Sequence, residues 1–221
     1  MASTQQLRQR LKSVKNTKQI TKAMEMVAAS KLRRAQDAAQ RSREFAKIAN
    51  ELLTRIRQLT DVKNHPLFIR RDIKNRLIIV VASDRGLAGG YNASLLKQFA
   101  NELKNDKAEG VANKIITIGK KATAFTAKVH DLEVLGAYHD FVDNPKAEDL
   151  RPILITALQG FENGDYDAVD IVYTDFISSV NQVARTARLL PVAFDNIELP
   201  THLEDAVFEP TPAKVLEEVT E

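Results

Sequence analysis

The feature that most restricts this chain is an absence: the first proline is Pro66 and the first glycine is Gly86. Nothing before them punctuates a helix. Ser3 with Gln6 three positions on has the form of a capping box, in which side-chain and backbone groups satisfy each other at a helix start. The pattern predicts one helix from about Thr4 to about Thr60, roughly 85 Å long at the standard rise per residue. Such a rod is several times longer than a small domain is wide, so most of it is expected to project beyond a core.

Large apolar residues recur along this helix at threes and fours: Leu7, Leu11, Val14, then Ile20, Met24, Val27, Leu32, and later Phe45, Ile48, Leu52, Ile56 and Leu59. That is a stripe seeking a partner helix. Its middle, Val27-Ala28-Ala29-Ser30, is small enough for another chain to approach the backbone closely. The stripe slips register between Val14 and Ile20 and thins from Ala35 to Ser42, which favours irregular pairing over a continuous coiled coil.

Charge is as uneven as the punctuation. Residues 1–60 hold 14 Lys and Arg against 4 Asp and Glu, whereas the rest of the chain holds 18 against 25. The basic segment suits an anionic partner, and charge alone leaves nucleic acid, a lipid surface and an acidic protein face all open. Lys31, Arg33 and Arg34 cluster beside the small-residue patch, which favours an acidic protein. No aromatic residue for base stacking precedes Phe45 and no basic-zipper heptads follow, so nucleic acid is the weaker reading.

The chain has no cysteine, which removes disulfides, thiol nucleophiles and cysteine-ligated metals together. Its longest apolar run, Leu77–Ala82, is far short of a membrane span. No signal peptide is visible. The four histidines, His65, His130, His139 and His202, are scattered without metal-ligand spacing, so no metal is expected.

From Arg76 onward short apolar runs alternate with amphipathic stretches. Strands are predicted at Leu77–Ala82, Lys114–Ile118, Leu132–Leu135 and Val169–Phe176, with helices at Ala93–Leu103, Lys120–Lys128 and Ala147–Phe161. Arg188–Phe194 is read as an edge strand because Pro191 cannot donate to a sheet ladder. The alternation predicts an α/β fold: a Rossmann-like, largely parallel sheet joined to a long N-terminal shaft helix. The corresponding segments are 1–65 for the shaft helix, 66–208 for the α/β domain, and 209–221 for the start of another helix after Pro210 and Pro212.

Between the first strand and its helix lies Ser83-Asp84-Arg85-Gly86-Leu87-Ala88-Gly89-Gly90-Tyr91-Asn92. Loops at this position commonly hold phosphates on backbone amides. Here the glycines at 86, 89 and 90 miss the dinucleotide spacing, and no Gly-Lys-Ser/Thr closes a phosphate loop. A tight chain reversal is favoured, and a nucleotide-binding α/β enzyme with a basic helical arm is the alternative. Asp84 and Arg85 lack a companion nucleophile, which makes a loop salt bridge or cap the simpler role. Catalytic residues and cofactors are expected to be absent.

Two stretches carry more than their physics. Val14 to Gln36, VKNTKQITKAMEMVAASKLRRAQ, resembles the N-terminal helix signature of F-type ATP synthase gamma subunits of the bacterial type, and Ser83 to Asn92 resembles that family's second hallmark. Further likeness lies at Asp143-Asn144-Pro145 and from Ile171-Val172-Tyr173 to Phe176-Ile177. The resemblance implies a non-catalytic rotor subunit whose helix turns inside a ring of alpha and beta subunits. It also implies that the α/β foot rests against the epsilon subunit and a membrane c-ring, without inserting into the membrane. Met24, Lys31, Arg33 and Arg34 match the stretch where the family's shaft passes acidic segments of beta. Ser83, Asp84, Arg85, Gly86, Gly89, Gly90 and Asn92 match the foot signature. The family continues past a Glu-Pro-x-Pro segment into a long C-terminal helix, which this sequence is expected to lack. Peripheral attachment to the cytoplasmic face of a bacterial membrane follows from the same resemblance.

Overall fold

The computed structural model describes residues 3–59, 65–141 and 145–192, with 209, 211, 214 and 215 beyond them. The chain divides into two units, Met1–Asn50 and Glu51–Glu221. One helix, α1, runs Thr4–Leu59 and supplies all of the first unit's described secondary structure. Thr60, the expected end of that helix, lies outside the described residues. At its start the Ser3 N–H donates to Gln6 Oε1 at 3.2 Å, the reach-back half of the predicted capping box. No residue described between 3 and 50 is buried, so the apolar stripe is exposed from Leu7 to Ile48.

The second unit opens with the last turns of α1, where Ile56 is fully buried among Leu52, Leu53, Phe68 and Val215. A short 3-10 turn, Pro66–Phe68, leads to β1, Asn75–Val81. Then follow α2 (Tyr91–Glu109), β2 (Ala112–Ile118), α3 (Lys120–Thr126) and β3 (Glu133–Tyr138). The unit continues with α4 (Ala147–Asn163), β4 (Ala168–Phe176) and β5 (Gln182–Leu190). The sheet order is β3-β2-β1-β4-β5, with β5 alone antiparallel.

The central position of β1 explains its unbroken apolar sequence. Leu77 and Ile79 pack with Ile116, Val169 and the α4 residues Ile153, Ala157 and Phe161. Ile78 and Val80 pack on the other face with Ile115, Val172, the α2 residues Leu95 and Phe99, and Ala122 of α3. Alternate side chains of a strand point to opposite faces, so a strand covered on both sides must be apolar at consecutive positions.

The predicted edge strand needs correction. In place of Arg188–Phe194, β5 begins at Gln182 and ends at Leu190, ahead of Pro191, while 193 and 194 lie outside the described residues. It is the return arm of a hairpin from β4, closed by Ser178 and Asn181, whose N–H groups and carbonyls bond to each other at 2.9 and 3.2 Å. Arg185 and Arg188 interrupt its apolar pattern and concealed it. Of the expected helix from Ala213 to Val219, only Lys214 and Val215 are described, and both are helical.

One polar residue of β1 breaks the apolar rule. Arg76 is buried, and its guanidinium reaches Asp106 at 2.9 Å and Glu102 at 3.0 Å on α2, and Asp170 on β4. Asp170 also accepts from Arg188 of β5, and Glu102 accepts from Thr186 at 2.8 Å and Gln98 at 3.0 Å. Burial by itself would lower the Arg76 pKa, but the Asp170 and Asp106 carboxylates outweigh it and push the value up. The network thus joins α2 to three neighbouring strands. Arg76→Met is expected to destabilise this unit by about 3–5 kcal/mol, because it leaves buried carboxylates without their cation. The urea midpoint of the sheet's circular dichroism measures this, and a loss below about 1 kcal/mol would show that the carboxylates re-pair or protonate without difficulty.

Candidate functional site

In open α/β sheets the carboxyl ends of the parallel strands are the usual place for function. Here that edge carries the loop from Ser83 to Asn92. Its two ends are clasped together: the Ser83 N–H donates to Asn92 Oδ1 at 3.2 Å and Asn92 Nδ2 donates to Ser83 Oγ at 2.8 Å. Ser83 Oγ in turn donates to the Arg85 carbonyl at 2.7 Å.

Asp84 does more than close its own turn. Its Oδ1 accepts from the Lys120 N–H at 2.9 Å, and its Oδ2 accepts from the Asp140 N–H at 3.0 Å. Lys120 opens α3 after β2, and Asp140 follows β3, so one carboxylate joins the ends of three adjacent strands. The Lys120 contact places negative charge at a helix start, where it is favourable. Asp140 is itself held below the usual carboxylate range by hydrogen bonds from Lys120 Nζ at 2.6 Å and His139 at 2.9 Å.

The chain turns here under close contact. Gly119 adopts φ 95°, and a Cβ there would lie 2.1 Å from the Ala82 carbonyl oxygen, so only glycine lets the turns after β1 and β2 meet. Within the signature, Gly89 alone of the three glycines needs the left-handed region, at φ 55°. Gly86 passes Lys121 Nζ, and Gly90 forms the N-cap of α2 without a side-chain hydrogen bond.

The polar side chains Ser83, Asp84 and Asn92 are therefore occupied in holding the loop, and Arg85 stands exposed. Sequence reasoning passed over Leu87, which has φ 60° and a fully exposed side chain. An aliphatic residue inside an otherwise polar, glycine-rich turn was the available signal. The loop thus carries an exposed leucine two residues from exposed Arg85, and Gly86 passes near Lys121. Among the described residues, no group of three or more His, Cys, Asp or Glu could hold a metal ion.

The other predicted residues lie on α1. At about 100° per residue, Met24, Lys31 and Arg34 fall within roughly 80° of one another, and Ile20 and Val27 share that face. Arg33 falls about 100° from Arg34, on another side of the helix. Ile20, Met24 and Val27 are each about 60% exposed, so the face is apolar, small in the middle and basic toward Arg34.

Comparison with known proteins decides the family. The ATP synthase family profile matches residues 3–221. An ATP synthase gamma chain from Cupriavidus metallidurans is 35% identical over 224 residues, covering 99% of this chain and 77% of that protein. This chain belongs to the ATP synthase gamma-chain family. Solved structures share the fold. The central stalk and c-ring structure of the Tetrahymena thermophila mitochondrial ATP synthase matches with TM-score 0.60 at 20% identity, covering 91% of this chain and 85% of the other. The rotor of the Euglena gracilis mitochondrial enzyme matches with TM-score 0.53 at 16% identity, covering 97% and 75%.

For this gamma chain, Asp84→Ala is expected to cost about 1–3 kcal/mol, since it leaves two backbone N–H groups without their acceptor. Asp84→Asn should recover about half, because one amide oxygen replaces two carboxylate oxygens. Thermal unfolding of the purified chain provides the comparison, and identical melting of all three forms would remove Asp84 from its bridging role.

Proposed function

We propose that the chain is a rotor subunit that carries torque between an ion-driven membrane c-ring and the catalytic ring of alpha and beta subunits. It catalyses nothing itself. The observation that carries this reading is the exposed α1 face of Ile20, Met24, Val27 and Arg34, with half-exposed Lys31 beside them, an apolar and basic surface with no buried residue among the described residues around it. A shaft seated in a ring needs such a face, and acidic segments of beta are its complement. The α/β unit, with its signature loop, serves as the foot against the epsilon subunit and the c-ring. The complex holds the chain peripherally on the cytoplasmic side of a bacterial plasma membrane. No helix among the described residues is long and apolar enough to cross one.

The face predicts which cations matter. Reversing Lys31 and Arg34 together should weaken attachment to an alpha/beta hexamer by roughly tenfold or more, and added salt should weaken the wild-type attachment too. Arg33→Glu alone should change it little, since that side chain points away and a single exposed pair is worth about 1 kcal/mol at most. Pull-down of the hexamer across a salt series tests this; equal losses from Arg33 and from the Lys31/Arg34 pair would reject the assigned face. Met24→Lys should leave assembly intact while coupled ATP synthesis falls, because it sets a charge among the apolar residues of the same face.

A nucleotide-using enzyme is the second reading, favoured by the strand order and by the position of the glycine-rich loop at the end of β1. Calorimetry of the isolated chain with ATP is expected to give no tight binding, because the loop's polar side chains hold the loop itself and no phosphate-gripping lysine follows. Micromolar affinity abolished by Gly89→Val would reverse that assignment.

A further inference from the structure

Residues 69–74 form neither helix nor strand, yet they are the covalent link from the 3-10 turn at Pro66–Phe68 to the central strand β1. Short irregular stretches between packed elements are where hinges form, because a few φ/ψ changes there reorient what lies on each side. This strap is pinned instead. Just before it the Val192 N–H donates to the Leu67 carbonyl at 2.9 Å, and Phe68 packs both against Ile56 of α1 and against the α4 side of the sheet. Within it the Arg71 guanidinium donates to the Phe161 carbonyl at 2.9 Å and lies over the buried Phe161 ring, 5.0 Å from its centre. A cation is favourable there, since the last carbonyls of α4 carry the negative end of the helix dipole. At the strap's end one oxygen of Asp167, Oδ2, accepts from the N–H groups of Lys74 at 2.9 Å and Asn75 at 3.0 Å. Burial alone would raise the Asp167 pKa, but those two donors, with the charges of Arg71 and Lys74, outweigh it and hold the carboxyl below its usual range.

Phe161 ends on α4 and Asp167 immediately precedes β4, so both pins fasten the strap to the turn between those two elements. All of these groups, and the last turns of α1, belong to the second unit. We propose that Arg71 and Asp167 are positioning residues that lock the strap, so that load entering the α/β unit reaches the last turns of α1 without being absorbed by bending at 69–74. The proposal rests on the rotor reading, because only a chain under load needs a hinge held shut. The two pins are unequal in kind. Arg71 combines a charge-assisted bond with stacking, which only its planar fork supplies, whereas Asp167 needs just one acceptor oxygen for its two donors.

The test has two parts. In the purified chain, Asp167→Ala should speed amide hydrogen exchange at Lys74 and Asn75 by about tenfold or more, while β1 from Leu77 to Val80 stays protected. Asp167→Asn should not, because a single amide oxygen can accept both donors. In the assembled ATP synthase in vesicles, Arg71→Ala combined with Asp167→Ala should leave uncoupled ATP hydrolysis within about twofold of wild type and lower gradient-driven synthesis at least about fivefold. Arg71→Lys in place of Arg71→Ala should restore part of that synthesis, since lysine reaches a carbonyl but lacks the plane that lies on the ring. Ile153→Val, a core change on α4 away from the strap, is the control for simple loss of stability. Synthesis lost in the same proportion to melting temperature in the control and in the double variant overturns the proposal. So does unchanged synthesis in the double variant, unchanged exchange in Asp167→Ala, or loss of assembly and hydrolysis together, which would make the pins purely structural. No synthesis by the wild-type complex would instead reject the rotor reading, and this proposal with it.

Discussion

The α/β unit depends on the double coverage of β1. Leu77 and Ile79 require one layer above the sheet, Ile78 and Val80 another below it, and the crossovers through α2 and α4 deliver those layers on opposite sides. Burying four such aliphatic side chains favours the fold by roughly 1.5–3 kcal/mol each, before the entropy of ordering the chain is set against it. Once β1 is enclosed, any polar residue on it must find partners inside. Arg76 does so through Asp106, Glu102 and Asp170, and this requirement draws α2, β4 and β5 into one polar cluster.

The same enclosure leaves the strand ends as the only free part of β1, and there the signature loop settles. Asp84 reaches the turns after β2 and β3, while Asn92 returns to Ser83 across the loop. Seven hallmark residues are thus mostly intramolecular in their duties. Leu87, between them, is fully exposed, and Arg85 two residues before it is exposed as well.

Several features were legible in the sequence because their causes are local. The absence of proline and glycine before Pro66 sufficed for α1, and the consecutive apolar residues from Leu77 sufficed for a strand buried on both faces. Other features depend on partners remote in sequence. Nothing around Arg76 announces Glu102, Asp106 or Asp170, and nothing around Asp84 announces the amides of Lys120 and Asp140. The edge strand β5 was misjudged because its arginines are neutralised by Asp170 and Asp175 on the neighbouring strand. That Met24, Lys31 and Arg34 share one side of the helix while Arg33 lies on another follows from helical angle, which proximity along the chain does not convey.

Within α1 the apolar stripe changes register between Val14 and Ile20, and the same turns contain two hydroxyl groups bonded backward. Thr17 Oγ1 donates to the Ser13 carbonyl at 3.0 Å, and Thr21 Oγ1 donates to the Thr17 carbonyl at 2.9 Å. Such bonds share carbonyls already used by the helix ladder and loosen it, which is a recognised origin of helix bending. A helix otherwise free of glycine and proline therefore has a local compliance at Ser13–Thr21. Under a bending or twisting load, elastic deformation should gather there, and the turns on either side should move as stiffer segments.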